Sequence, residues 1–369
     1  MKILVTGNMG YVGPVVLRRL RKSHPEATLI GYDMGYFAHC LTGAARFPES
    51  RADMQYFGDI RQVPEEILRG VDGIVHLCAI SNDPMDALNE DVTTAINYRA
   101  SIDLAQKAKR AGVKKFVFAS SCSVYGFAEG GPRREEDALN PLTAYAKSKV
   151  FTEQDLALLA SETFTATCLR FSTACGMSDR LRLDLVLNDF VASALVSKRI
   201  NILSDGTPWR PLIHVKDMAR AIDWAVQRNH RDGGTCLTLN VGSDTWNYQV
   251  KDLAGAVGQV IPDVEVSINK DAQPDKRSYR VNFDRFTKLA QGYLPAVDLH
   301  QAVVDLRDGL LTMKFQDRDF RTAEFMRLVT LKRLRENGHL TDNLEWTDGG
   351  ILGVKGADMP SVHSENSSG

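Results

Sequence analysis

The sequence contains no apolar run approaching the roughly 20 residues that a membrane-spanning helix needs. Neither charge is in surplus: 45 Lys and Arg face 46 Asp and Glu, a net charge of −1. That balance gives no electrostatic case for a nucleic-acid or membrane partner. Cysteine is sparse and scattered, six residues at 40, 78, 122, 168, 175 and 236 with no CxxC pair. The spacing does not suit zinc, so no metal centre is expected. Most of these thiols sit inside apolar runs, where a free Cys behaves as a small buried hydrophobe. A cytoplasmic, reducing location is the expectation. Met1–Gly7 is too short an apolar run for a signal peptide and leads straight into a motif. With 369 residues, 44% of them hydrophobic, the chain has ample length to bury a core, as one large domain or two smaller ones.

The first half reads as a nucleotide cradle. Lys2–Thr6 is a short apolar strand, followed by Thr6-Gly-Asn-Met-Gly-Tyr-Val-Gly13 and an amphipathic run over Tyr11–Lys22. Glycines at 7, 10 and 13 let backbone approach a pyrophosphate, and the helix start supplies free N–H groups to the phosphates. A glycine triplet alone is weak evidence, but Thr28–Asp33 then reads as a second strand ending in an acid. Asp33 stands twenty residues beyond Gly13, where a carboxylate accepts adenosine ribose hydroxyls and repels a 2′-phosphate. NAD is thereby favoured over NADP. Further strands are expected at Met54–Ile60, Gly73–Ala79 and Lys114–Ser120, with a long helix over Asp91–Ala111 that holds Asn97. His76, inside an apolar strand, is expected to be a packed core residue. The alternation predicts a Rossmann-like, doubly wound parallel α/β sheet.

The chemistry is carried by Ala119-Ser-Ser-Cys-Ser-Val-Tyr-Gly126 and, downstream, Tyr145-Ala-Lys-Ser-Lys149. Tyr145 and Lys149 are i and i+4 and share one helix face, with Thr143 a candidate cap. A free Tyr, pKa about 10, is a poor base at neutral pH. A nearby ammonium favours the phenolate and brings it toward a useful range. Ser121 is placed to hydrogen-bond the same substrate oxygen. YxxxK alone is usually a solvated helix face, but together with the serine, the glycine turn and Asp33 it becomes a strong joint signal.

These motifs resemble the extended short-chain dehydrogenase/reductases, specifically the nucleotide-sugar epimerase/dehydratase group that includes UDP-galactose 4-epimerase. The resemblance covers about residues 1–310, and includes GDI at 58–60, Leu169-Arg-Phe171 and Arg210-Pro-Leu-Ile-His-Val215. It implies Ser121, Tyr145 and Lys149 as the catalytic trio and a bound NAD. It implies cofactor contacts at Gly7, Gly10, Tyr11, Val12, Gly13, Asp33, Asp59, Ile60, Leu77, Ala79, Asn97 and Phe171. Substrate contacts are implied at Ser81, Ser123, Thr173, Asn188 and Arg210, with Arg277 a substitute for an arginine that relatives carry where Ala272 stands. The implied substrate is a nucleotide-diphosphate sugar and the implied assembly a homodimer through the helices carrying Asn97 and Tyr145.

In 4,6-dehydratases the serine is followed by Asp-Glu, the residues that eliminate the C6 hydroxyl. Here Cys122 and Ser123 stand at those positions, which argues against dehydration. The leading reading is therefore an epimerase acting most simply at C4. A net keto-sugar reductase using the same residues, and a cofactor-binding protein without catalysis, remain as alternatives. Arg180–Ser197 reads as a helix whose Arg180, Arg182 and Asp184 either meet phosphate or acidic sugar groups or form a solvated face. Residues 1–173 with about 213–242 are expected to hold NAD. About 174–212 with 243–315 would cover the substrate as a smaller domain. An extra C-terminal helix is expected within 316–345, in a run over Asp319–Asn337, and a mobile tail after it.

Overall fold

The structure, a computed structural model, describes residues 1–41, 44, 46–81, 90–128, 130–269, 271–272 and 278–347. The chain divides into two compact units, Met1–Thr330 and Leu331–Gly369.

In the first unit, β1 (Lys2–Thr6), α1 (Gly13–Ser23), β2 (Thr28–Asp33), β3 (Met54–Phe57) and β4 (Gly73–His76) build one half of a sheet. Then α2 (Glu90–Thr94) runs through a π turn at Ala95–Arg99 into α3 (Ala100–Arg110). β5 (Lys115–Ser121), α4 (Ala144–Leu159) and β6 (Thr165–Phe171) follow. After β7 (Thr173–Cys175), α5 (Val186–Ser197), β8 (Arg199–Ile202) and β9 (Trp209–His214), the chain returns through α6 (Val215–Gln227) to β10 (Cys236–Val241).

Seven strands pair in the order β10-β6-β5-β4-β1-β2-β3, every pair parallel. The order reverses between β1 and β4, which opens a crevice at their carboxyl ends where ligands of such sheets bind. The fold is Rossmann-like α/β. Its central strands read as near-continuous apolar runs because helices cover both faces: Ile3, Leu4, Val5, Ile74, Val75, Phe116 and Phe118 are all buried. His76 is buried among them. It pairs with Thr6 Oγ1 at 2.7 Å and Ser101 Oγ at 2.8 Å, and burial pushes its imidazole down to about 3.

Five further strands make two small sheets beside this one. β11 (Asn247–Gln249), β9 and β7 form one, while β12 (Glu265–Ile268) pairs with β8, the two linked in sequence by α7 (Val250–Val260). α8 (Asp284–Leu289), α9 (Leu299–Thr312) and α10 (Arg327–Glu336) complete the helices named here. In the second unit, Leu340 bridges Trp346 and Arg335 pairs with Asp342. Beyond Thr347 the expected tail lies outside the described residues.

Several expected elements are shorter than their sequence patterns. The third strand ends at Phe57 because Asp59 turns to accept Arg61 N at 2.9 Å and starts a 3-10 turn. The run expected to be helical from Arg180 begins its helix only at Val186. Arg180 reaches across to Glu49 at 2.5 Å and Arg182 folds onto Asp184 at 2.8 Å, pairings that hold this stretch as a loop. The helix expected from Asp319 starts at Arg327.

Candidate active site

A cleft of about 1010 Å3 opens over the carboxyl ends of β1, β2, β4, β5 and β6. That is at the upper end of the roughly 300–1,000 Å3 typical of ligand sites. Gly7, Gly10, Tyr11, Val12, Asp33, Leu77, Ala79 and Phe171 line it, as do Ser81, Ser121, Ser123, Tyr145, Lys149, Thr173 and Arg210.

β5 ends at Ser121, whose Oγ accepts Ser123 N at 3.1 Å and caps a 3-10 turn. Across from it, Thr143 caps α4 by accepting Ala146 N at 3.1 Å, which sets the helix angle that carries Tyr145 and Lys149. Lys149 is 3% exposed. Its Nζ donates to Ala119 O at 2.8 Å and stands 5.4 Å from the Tyr145 ring centroid and 4.6 Å from that of Phe118. Burial lowers its ammonium to about 8. The helix is fastened to the sheet from below: Glu153 takes Arg170 as a bidentate partner, at 3.0 Å from Nε and 2.7 Å from NH2, and accepts Ser120 Oγ. Arg170 in turn donates to Tyr125 OH at 3.0 Å, and Tyr125 donates to Asn240 at 2.7 Å. Tyr125 is thus part of the framework under the site.

At the other end, Asp33 accepts Met9 N at 2.9 Å and Gly35 N at 2.8 Å, while burial raises its carboxyl above the usual range. The first turn is built only for glycine. Gly7 has φ +73°, and a Cβ there would lie 2.6 Å from Cys78 N; a Cβ at Gly13 would lie 2.2 Å from Asn8 O. Gly10 is different, because its Cβ would meet only Gly7 O at 3.3 Å.

Some expected contacts are not among the cleft-lining groups. Asn97 is buried in the π turn and its carboxamide brackets Ile80, accepting the amide at 2.7 Å and donating to the carbonyl at 2.9 Å. Asn188 is also buried, accepting Gly176 N at 3.0 Å and donating to Arg182 O at 2.8 Å. Gly13, Asp59 and Ile60 lie behind the lining. Arg277 lies outside the described residues. Conversely, Tyr36, Phe37, Asp184, Asp189, Arg321 and Arg327 line the cleft. Asp184 is one of the charged groups that the sequence offers for this region, and Tyr36 and Phe37 follow Asp33 closely in the chain. Long-range packing brings in Asp189, Arg321 and Arg327, which no local motif marks.

Over residues 3–242 the chain matches the NAD dependent epimerase/dehydratase family. It belongs to that family. NAD is accordingly its cofactor. The residues fit that group: two glycines that bar any side chain, a third facing the cleft, and Asp33 beyond them. Ser123 Oγ, buried and without a hydrogen-bond partner among the described residues, is a further polar atom on the lining.

Family relatives include a dTDP-glucose 4,6-dehydratase of Streptomyces griseus, 28% identical over 309 residues, covering 80% of this chain and 90% of that protein. A UDP-glucose 4-epimerase of Corynebacterium glutamicum is 27% identical over 274 residues, 69% of this chain and 78% of that one. In fold the chain is similar to the UDP-glucuronic acid 4-epimerase from Bacillus cereus, with a TM-score of 0.72 and 21% identity over 85% of this chain and 100% of that one.

Proposed function

We propose that the protein epimerises a nucleotide-activated sugar, by transient oxidation of a ring hydroxyl, at C4, to a ketone. Its substrate is a nucleotide-diphosphate sugar. NAD, when bound, supplies the reversible hydride acceptance this needs. Tyr145 takes the proton from the sugar hydroxyl as the general base. Lys149, held beside it, carries the positive charge that favours the phenolate, and Ser121 orients the same oxygen by hydrogen bonding. Ser81, Ser123, Thr173 and Arg210 form the substrate side. The guanidinium of Arg210 suits a diphosphate. Residues 1–173 with 213–242 act as the cofactor part and about 174–212 with 243–315 as the substrate part.

The observation that carries an epimerase over a 4,6-dehydratase concerns the groups after Ser121. Cys122 is fully buried, its Sγ turned to Arg170 O at 3.1 Å, and burial pushes the thiol far up. Ser123 is the residue that meets the cleft. Among the described residues the lining carboxylates are Asp33, Asp184 and Asp189. Asp184 is paired with Arg182 and Asp189 with Arg321. None stands in place of the dehydratase acids.

The test is a panel of UDP- and dTDP-sugars incubated with the purified protein and read by NMR. Isomer formation without net NADH accumulation is expected, with deuterium at C4 retained in the product. No isomer from any sugar, by protein that holds NAD, would refute the reading. Stoichiometric NADH change with a keto sugar would replace it with a net oxidoreductase. The proposed assembly is a cytoplasmic homodimer through α3 and α4. It is supported by the exposure of Phe151 at 45% and Leu158 at 84% on α4, and sedimentation analysis tests it.

A further inference from the structure

The C-terminal segment that follows α9 returns to the cleft and brings a cation with it. Arg327 is 2% exposed and lines the cleft together with Leu328 and Val329, the first turn of α10. Backbone N–H groups at a helix start lack intrahelical acceptors and favour an anion. The Arg327 guanidinium stands 4.5 Å from the Phe37 ring centroid. It donates to two carbonyls, Arg180 O at 2.9 Å and Glu324 O at 3.3 Å.

Two other buried arginines lie in the same region, and each has a carboxylate: Arg180 has Glu49 at 2.5 Å and Arg182 has Asp184 at 2.8 Å. Among the described residues Arg327 has none within the 4.0 Å of an ion pair. Of these three buried guanidinium groups Arg327 is the one with no ion-paired carboxylate among the described residues, and burial lowers it to about 10. An uncompensated buried charge is strongly unfavourable, and an anion seated in the cleft would compensate it.

Placement selects the anion. Phe37 follows Asp33 by four residues. Arg180, whose Nε donates to Phe37 O at 3.2 Å, lies within the electrostatic reach of the Asp33 carboxyl. This is the adenosine end of the cofactor cleft. The other lining cation of the segment, Arg321, already holds Asp189 at 2.6 Å and Ser193 Oγ at 2.8 Å. We propose that Arg327 binds the NAD diphosphate from its adenosine side, so that the C-terminal segment, outside the family match at 3–242, completes the cofactor site. The inference rests on the NAD assignment and is independent of which sugar reaction follows.

The test uses the full chain with Arg327→Met, comparing NAD retained per chain, the NAD release rate, and ADP-ribose affinity at two salt concentrations. Loss of one charge-assisted contact predicts release and dissociation constants raised roughly tenfold or more, with a shallower salt dependence. Binding of nicotinamide mononucleotide should be unchanged. A purely structural role would lower the melting temperature without altering the salt dependence. A folded Arg327→Met protein that keeps NAD and ADP-ribose as the parent does would overturn the proposal. So would a loss confined to nucleotide sugars, which would assign the charge to the substrate. Should Arg327→Met fail to fold, Arg327→Gln, which keeps amide donors for Arg180 O, takes its place with the same expectations. A parent chain that binds NAD but epimerises nothing would sink the proposed reaction and leave this inference standing.

Discussion

Replacing Glu153 with Gln should destabilise the protein by about 3–5 kcal/mol, the cost of leaving one member of a buried ion pair without its partner. The magnitude follows from the setting. The Glu153 and Arg170 side chains are each 6% exposed, so water cannot replace the lost charge. Gln keeps the shape and one acceptor oxygen but turns an NH2 group toward donors. It opposes Arg170 Nε or NH2, now at 3.0 and 2.7 Å from carboxylate oxygens, or Ser120 Oγ. Burial works to lower the Arg170 guanidinium, yet the hydrogen bonds and charge of Glu153 outweigh it and hold the group above its ordinary value. Against a typical stability of about 5–15 kcal/mol the predicted loss is large. Urea unfolding followed by circular dichroism measures it, with the slope on denaturant unchanged if only stability moves. The double change Glu153→Leu with Arg170→Leu should cost less than Glu153→Gln alone, since it removes both charges. A loss below about 1 kcal/mol, the value of an exposed pair, would refute the argument that this pair fastens the Tyr145 helix to the sheet.

Gly10→Ala should lower the melting temperature much less than Gly7→Ala, because its Cβ meets only Gly7 O at 3.3 Å, a tight contact that a shift of a few tenths of an ångström relieves, yet weaken NAD binding measured by calorimetry. Gly7→Ala should harm both, with φ +73° and a clash at 2.6 Å. For His76, burial holds the folded pKa at about 3, below the ordinary value of 6.5, so its stabilising contribution is complete above pH 6.5 and is lost as pH falls toward 3. Unfolding free energies at stepped pH should show that acid slope, and it should shrink in His76→Phe after correction for the lost hydrogen bonds. Tyr145→Phe should retain NAD and the fold while epimerisation falls by roughly 10²–10⁴-fold, the usual worth of a general base. Unchanged turnover would remove Tyr145 from the reaction.

The parallel sheet was legible because a strand covered on both faces writes itself as an apolar run, as in Ile3–Val5 and Ile74–Val75. The segments that bring Ser121, Tyr145 and Lys149 to one cleft were legible because they lie at short spacings along a strand end and a helix face. What local patterns do not carry is partnership at long range. Arg180 and Arg182 look like the polar side of a helix until Glu49 and Asp184 are seen to hold them in a loop. Asn188 carries the residue type of a ligand contact, yet its carboxamide joins Gly176 to Arg182. Arg327 had no signal at all, since its meaning depends on Phe37, far away in sequence, lying beneath it.

The carboxamide of Asn97 also has a consequence for what the chain tolerates. β4 stops at His76, and the backbone at Ile80 has no strand neighbour, so a side chain on the π turn supplies the pair of bonds a ladder would give. Asp offers only acceptors and Leu offers neither group, so each leaves part of that peptide unsatisfied in a buried place. Among similar shapes only a carboxamide meets both demands. Position 97 is thus restricted by the needs of a neighbouring loop's main chain, and the amide proton of Ile80, though outside any helix or strand, should exchange with deuterium as slowly as those of the sheet.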